Sequence, residues 1–484
     1  AGPSFTLDRE TGYYTRTKYT ALGQESEWSD VTYFVTRARY VDSFWINTFN
    51  HNGWDYEYTE DLDIDDDGNV YIVSIRYSAG GSGYKGMSLV KLDANGILQW
   101  QKYLTYHVPG DRTYPLESRT VSVTPDGSEI FVTAQGNLGM LVCKFNSNGN
   151  LQWTKKLGGV NSNNFSYGTT LTSSGELVMF GRDSQNSLGH TFVTQISNSG
   201  SQTFYSSIGR TSGDTTQLVY TCEPFVDTDD NIHFVINSWN GSKRTPGVVK
   251  YDSSGVLQSV SDFNSTVDNS IADEDQFGDI AVDGSGNKYI TYRRDVTATH
   301  VSGMRSGLLK LNSSDEIQWQ SDISSSNAHY PLQVNIDSSG NIISGFEDRR
   351  TNNGIIVTKH TSDGTLVWKR SLRHSSKQVW TGAEVRLNRN DNILINSFTQ
   401  GGDTKTFTCQ FPSDGSLTGT YIDTVGNFIW EDATHVTVSS STAYFKNGSS
   451  IYSAKSTSMS MSSFSNTSTG NNILTVNKTD IPTP

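Results

Sequence analysis

The chain has 484 residues, 50 acidic against 37 basic side chains, and a formal charge of −13. Such a length exceeds one ordinary core and calls for several domains or a repeat. The acidic balance argues against a nucleic-acid backbone as partner and fits a soluble, self-repelling surface. No run of about 18 apolar residues occurs, so no helical membrane span is expected. Gly is abundant (44) and Pro scarce (10), which fits many short strands joined by tight turns.

Residues 1–36 differ in pattern from the rest of the chain. An alternating stretch from Gly12 is followed by a Gly turn and then by Ser-Glu-Trp-Ser-Asp, which leads into a second strand at Val31–Thr36. This pattern resembles the last two strands of a fibronectin type III domain, where a Trp-Ser pair precedes the final strand. The resemblance implies the end of such a module and a natural polypeptide extending upstream of Ala1. The chain begins Ala-Gly-Pro, without Met or an apolar leader, in keeping with a processed or partial piece.

From residue 37 the chain repeats. The stretch LDIDDDGNVYIVSIRYSAGGSGYKGMSLVKLDANGILQW, residues 62–100, alternates apolar and polar residues and breaks at Asp66–Asn69 and at Ala94–Gly96. That is the period of half-buried strands joined by hairpin turns. The first turn recurs at Gly127, Gly175, Asp230, Gly286, Gly340 and Asp391. The second recurs at Gly149, Gly200, Gly255, Asp315, Gly364 and Gly415, with a spacing of about 53 residues. A period near 50 with two turns per unit predicts propeller blades of four strands.

Seven units are explicit, and the ends imply an eighth. Ser43–Phe49 reads as a fourth strand, since Trp45 precedes Trp100 by 55 residues; residues 435–456 read as three strands lacking a fourth. Joining the two would close the ring and remove its open edges. Eight blades are preferred, with seven as the alternative. The Ser, Thr and Asn-rich tail, 457–484, is expected as a flexible or partner-ordered extension.

The unit Asp-x-x-Gly-Asn-x-Tyr, an aliphatic strand, then Lys-Leu-Asp-x-x-Gly-x-x-x-Trp is similar to the SBBP-type β-propeller repeats of bacterial secreted proteins and bacteriophage structural proteins. The resemblance covers about 43–456 and implies the fold more than any activity. The closing Trp also resembles the repeat of quinoprotein dehydrogenases, where it joins blade to blade; Trp100, Trp153, Trp319 and Trp368 are read that way. Cys143, Cys222 and Cys409 are far apart and read as small buried residues.

Two groups of residues could bind ligands. Asp63, Asp65 and Asp67 stand at alternate positions before Gly68, as in the start of a calcium loop, but the twelfth position is Ser74 rather than Glu. An Asp/Gly-rich hairpin explains the same letters, and calcium is the one cofactor left open. The second group is arginines at the ends of second strands: Arg76, Arg182, Arg293, Arg294, Arg349 and Arg350. Strand ends of this kind open onto one propeller face, and a ring of guanidinium groups would suit a carboxylated or sulfated sugar. Asp183, Asp295 and Asp348 are adjacent in sequence and could instead pair with them.

Catalytic signatures are sparse. Thr361–Trp368 is similar to the Asp box of sialidases, which is structural there and transfers no chemistry. A sialidase would also need an arginine triad, a Tyr–Glu nucleophile pair and an acid Asp. The chain contains no adjacent cysteines, HExxH, GxSxG or GxxxxGK[ST]. The sequence therefore predicts an all-β propeller with no catalytic residues, in a structural or adhesive surface protein resembling a phage tail fibre, appendage or capsid decoration. Its partners would be other virion or surface-assembly subunits, a cell-surface glycan or copies of itself, with no nucleic acid and no membrane insertion. The alternatives are a secreted glycan-processing hydrolase and a bacterial surface or filament protein.

Overall fold

The computed structural model describes residues 12–15, 20–21, 24–25, 32–35, 44–51, 56–77, 86–106, 117–136, 139–158, 165–183, 190–210, 223–239, 244–265, 275–295, 304–324, 329–348, 354–379, 384–400, 405–423, 426–440, 445–447, 452–455, 461–463, 467–470 and 474–481. Every regular element among them is a strand. The chain divides into two compact units, Ala1–Ser43 and Phe44–Pro484. In the first, Gly12–Thr15 pairs antiparallel with Thr32–Val35, and Thr20–Ala21 pairs with Gln24–Glu25.

The second unit is a seven-bladed propeller. Blade 1 is built from Tyr56–Ile64, Val70–Tyr77, Gly86–Leu92 and Leu98–Tyr106, paired antiparallel in chain order. Blades 2 to 6 repeat that order from Glu117–Val123, Phe165–Leu171, Phe225–Val226, Gln276–Val282 and His329–Ile336 as first strands. Both turns of each blade form because one residue takes a left-handed φ, from 60° to 90°, at the predicted position; it is Gly68 and Gly96 in blade 1, and Asp230, Asp315 and Asp391 where Gly is absent. An Asp or Asn opening many of these turns caps the next amides, as Asp65 Oδ1 does for Asp67 N and Asn69 N at 3.0 and 2.8 Å.

The blade count corrects the preference for eight. Phe44–His51 does close the last blade, but its partner is Lys405–Phe411, with Trp45 opposite Gln410. Blade 7 therefore consists of Glu384–Leu387, Ile393–Gln400, Lys405–Phe411 and the N-terminal strand. The described residues of 435–456 form no eighth sheet. They belong to a belt that runs around the rim against the blade order and gives every blade a fifth strand, outermost on all but blade 6, where Gly419–Asp423 lies outside it.

The belt starts at Gly426–Asp432 on blade 6 and continues with Thr437–Ser440 on blade 5, Phe445–Asn447 on blade 4 and Tyr452–Lys455 on blade 3. Met461–Ser463 then pairs with blade 2, Thr467–Gly470 with blade 1 and Leu474–Ile481 with Phe44–His51 of blade 7. The tail expected as an extension thus supplies three of these strands. The belt covers fourth-strand edges that would otherwise offer unpaired N–H and C=O groups to another chain.

Between blades, an indole at the start of the fourth strand of blades 1, 2, 5, 6 and 7 meets the second turn of the next blade, and Phe204 takes that place in blade 3. Trp100 Nε1 donates to Ser147 O at 2.9 Å, Trp153 Nε1 to Asn198 O at 3.0 Å and Trp45 Nε1 to Ala94 O at 3.2 Å. The predicted tryptophan joints are present, and apolar side chains from adjacent sheets fill the space between blades. Phe180 of blade 3, for instance, packs on Phe234 of blade 4 with ring centroids 4.5 Å apart. Cys143 and Cys409 are buried free thiols within these layers, and burial pushes the Cys143 thiol up to about 12. Cys222 lies outside the described residues.

Candidate functional site

The first strands of the blades surround the axis. Five of them carry a bulge just before the position four residues ahead of the first turn, as between Thr59 and Asp61 or Phe277 and Ile280. A bulge breaks the ladder and re-aims the next side chain. The position four residues ahead of the turn holds Asp61, Thr120, Gly168, Asp279 and Gln333 in the five bulged blades, and Glu223 and Glu384 in the other two. Two residues later come Asp63, Ser122, Thr170, Phe225, Ala281, Asn335 and Arg386.

Four of these side chains, Asp61, Asp63, Asp279 and Gln333, bind amides of a neighbouring blade's inner segment that lie outside its own ladder. Asp61 Oδ2 accepts from Val121 N at 2.8 Å and Asp63 Oδ2 from Val123 N at 2.7 Å, joining blade 1 to blade 2. Asp279 Oδ2 accepts from Val334 N at 3.0 Å, and its Oδ1 from Glu223 N at 3.2 Å, joining blades 4, 5 and 6. Gln333 Oε1 accepts from Val385 N at 3.1 Å, joining blade 6 to blade 7.

Arg386 is the cation of this ring. Its Nη2 lies 3.5 Å from Asp61, 3.3 Å from Glu384 and against Glu223 Oε1, so it ties blades 7, 1 and 4 together. Burial dominates the titration of the acids around it. Asp61 and Asp63 are raised from 3.8 to about 6 and Asp279 to about 7, while Glu384 is raised well above its ordinary value, first by burial and then by Asp61 and Asp279. Arg386 offsets part of that rise at Asp61 and Asp63. Asp61, Glu223 and Glu384 converge within 4.8 Å, a spacing that could hold a metal ion, and the guanidinium lies among them.

Above this ring a cavity of about 770 Å³ opens between the first turns, lined by Asp66, Phe225, Asp283, Asn335, Asp337 and Arg389 among others. Its floor reaches Glu223, Asp279 and Arg386. The sequence had singled out neither the cavity nor the ring. The available signal was a charged or amide residue four places before the first turn, at 61, 223, 279, 333 and 384.

Of the predicted arginines, Arg182, Arg293 and Arg294 sit at the opposite ends of the second strands from this cavity. Arg182 is partly buried. Arg293 is 5 % exposed and lies over the Tyr330 ring at 4.3 Å, and Arg294 is 8 % exposed and ion-paired with Asp322. Asp322, from the fourth strand of the same blade, is thus a partner the adjacent-residue pattern did not indicate. The side chain of Arg76, together with Arg349 and Arg350, lies outside the described residues. Asp63 binds Val123 N, whereas Asp65 caps its own turn and accepts from Tyr71 Oη at 2.9 Å. Asp67 gives its amide to Asp65.

No protein-family model matches the chain, and no curated protein matches it. Solved structures do resemble it in fold. The polysaccharide lyase Uly1 is 10 % identical, with a TM-score of 0.46 over 73 % of this chain and 90 % of that one. Drosophila semaphorin 2a is 7 % identical, with a TM-score of 0.47 over 76 % and 75 %. The Trypanosoma rangeli sialidase, solved with sialic acid, is 9 % identical, with a TM-score of 0.33 over 82 % and 58 %. At these identities and scores the similarity is one of propeller fold and carries no activity to this chain.

Proposed function

We propose that this propeller is a non-enzymatic structural and adhesive protein of a virion or cell surface, of the kind found in phage tail fibres, appendages or capsid decorations. One observation carries the reading. The axial carboxylates, where a propeller enzyme would keep its reacting groups, are engaged in holding blades together. Asp61, Asp63 and Asp279 accept amides of the next blade, and Glu223 and Glu384 pair with Arg386. A carboxylate so committed is poorly placed to attack or protonate a substrate. In this reading the partners are neighbouring subunits, copies of the chain or an acidic cell-surface glycan met by the arginine-bearing face, and calcium on the Asp63–Asp67 segment is the one ion proposed.

The test joins binding to turnover. Purified protein is applied to an array of neutral, carboxylated and sulfated glycans, and the bound glycans are assayed for released reducing ends. Retention of acidic glycans, lost in Arg349→Ala/Arg350→Ala, without turnover supports the reading. Reducing ends released by the wild type and not by Asp279→Asn would instead establish a glycan-processing hydrolase using the axial cavity, where Asp279, raised to about 7, would act as the acid.

A further inference from the structure

The belt differs in strength along its length. Its root, Gly426–Asp432, lies inside a sheet, between Leu366–His374 of blade 6 and Gly419–Asp423. Phe428 and Trp430 of this strand are wholly buried, and the Trp430 indole stacks on Phe411 with centroids 4.4 Å apart. Arg373 Nε reaches Glu431 Oε1 at 2.6 Å, and Arg370 pairs with Asp432. Just beyond, His435 Nε2 stands 3.1 Å from Asp348 Oδ2, a carboxylate that His329 Nε2 approaches to 3.7 Å from the other side. Val436, 1 % exposed, completes the anchorage.

The next five strands, Thr437–Ser440, Phe445–Asn447, Tyr452–Lys455, Met461–Ser463 and Thr467–Gly470, have three or four residues each. Each lies on the outer edge of a sheet and pairs on one side only. A short edge strand of this kind has little to hold it against local opening.

The distal end sets the direction of release. Leu474–Ile481 pairs antiparallel with Phe44–His51 so that Ile481 stands opposite Phe44. The chain therefore leaves towards residue 43 and towards residue 482 from the same end of one ladder. Tension between those two exits loads the ladder one residue pair at a time, the geometry in which a β-ladder peels rather than shears. Phe44–His51 stays in place because Lys405–Phe411 holds its other edge and Trp45 and Ile46 are wholly buried.

We infer that residues 437–481 form a releasable strap, which peels from Ile481 backwards around the rim, in the order blade 7, 1, 2, 3, 4 and 5, and stops at the root on blade 6. The seven-bladed ring stays closed throughout, because its closure depends on Phe44–His51 and not on the strap. Fully released, the strap extends by roughly 150 Å at the reach of an extended chain. Each step uncovers the fourth strand of one blade as an edge that can take another strand.

The test is single-molecule stretching of the full chain by handles at its two ends, on the wild type and on Asn50→Cys/Thr475→Cys, whose positions face each other in the ladder. The expected result is a series of small extensions, together roughly 150 Å, below the force that ruptures the ring and recovered on relaxation. Oxidation of the double variant removes them and reduction restores them. Extension belonging to residues 1–43 is unaffected by the disulfide and is told apart by it. A single rupture in which strap and ring fail together, or low-force steps whose number and total length are the same with and without the disulfide, overturns the proposal. Amide exchange gives an independent reading in the unloaded protein. Amides of 461–481 are expected to exchange at least tenfold faster than those of Leu98–Leu104, and equal protection counts against the strap.

Discussion

The indole of Trp319 lies against Gly364, the left-handed residue of the next blade's second turn, and its Nε1 donates to Ser362 O at 3.1 Å. The same pairing recurs as Trp100 with Gly149 and Trp368 with Gly415. Ser259 stands where blade 4 would carry this aromatic ring, and the facing turn residue is Asp315 in place of Gly. The aromatic ring and the missing side chain are therefore lost together. Asp315 instead accepts from Ser261 Oγ at 2.6 Å and pairs with Lys288 at 2.6 Å.

Gly364 is constrained twice, by its φ of +90° and by the indole, since a β-carbon there would lie 2.9 Å from Trp319 Cδ2. Gly364→Ala is expected to destabilise the protein by about 2–5 kcal/mol, the sum of left-handed strain and overpacking. Gly340 supplies the control, having φ +78° but open space around its missing β-carbon, so Gly340→Ala should cost only about 1–2 kcal/mol. Urea midpoints of the two variants measure the difference.

Asp315→Gly restores the common turn residue and is nevertheless expected to destabilise. It strips the partner from Lys288, which is 3 % exposed, and an uncompensated buried charge costs about 3–5 kcal/mol. Asp315→Gly/Lys288→Met should recover most of the loss. A double-mutant cycle from chemical denaturation checks this, and additive losses would refute it.

Arg386→Met leaves Asp61, Glu223 and Glu384 facing one another without a cation. The expected loss at pH 8 is about 3–5 kcal/mol, falling at pH 5 as the acids take up protons. Thermal midpoints at the two pH values decide the matter, and a deficit independent of pH would show that Arg386 acts through packing alone.

The wild type carries its own pH signature. Asp279 is raised from 3.8 to about 7, so the folded chain binds this proton more tightly than the unfolded chain does. Stability from this group is therefore greatest at acid pH and falls as pH rises through that window, by up to about 1.4 kcal/mol per pH unit. Asp61 and Asp63, raised to about 6, act in the same direction over a narrower window. Asp279→Asn should flatten the slope between pH 5 and 7 in urea titrations, and an unchanged slope would assign it to other groups.

The propeller was legible because its information is local. A left-handed turn residue, a period-two strand and an aromatic ring at the start of the fourth strand recur in sequence, and each acts within a few residues or one blade away. The belt was not legible for the converse reason. Thr437–Ser440 and Tyr452–Lys455 alternate like any short strand, and nothing local distinguishes the opening of a new blade from an addition to an old one. Reading 435–456 as an incomplete blade came from that ambiguity.

The axial ring lies between these cases. The letters at 61, 223, 279 and 384 were visible, but a carboxylate inside an alternating strand ordinarily marks its solvent face. The amino-acid sequence alone determined the blade, its turns and its joints, because those depend on backbone φ and on side chains repeating at one period. The tertiary structure decided which strand closes the ring, where the tail runs, and that Asp61, Glu223 and Glu384 share one arginine on the axis. Hydrogen-bond partners hundreds of residues apart are chosen by geometry that exists only once the blades have come together.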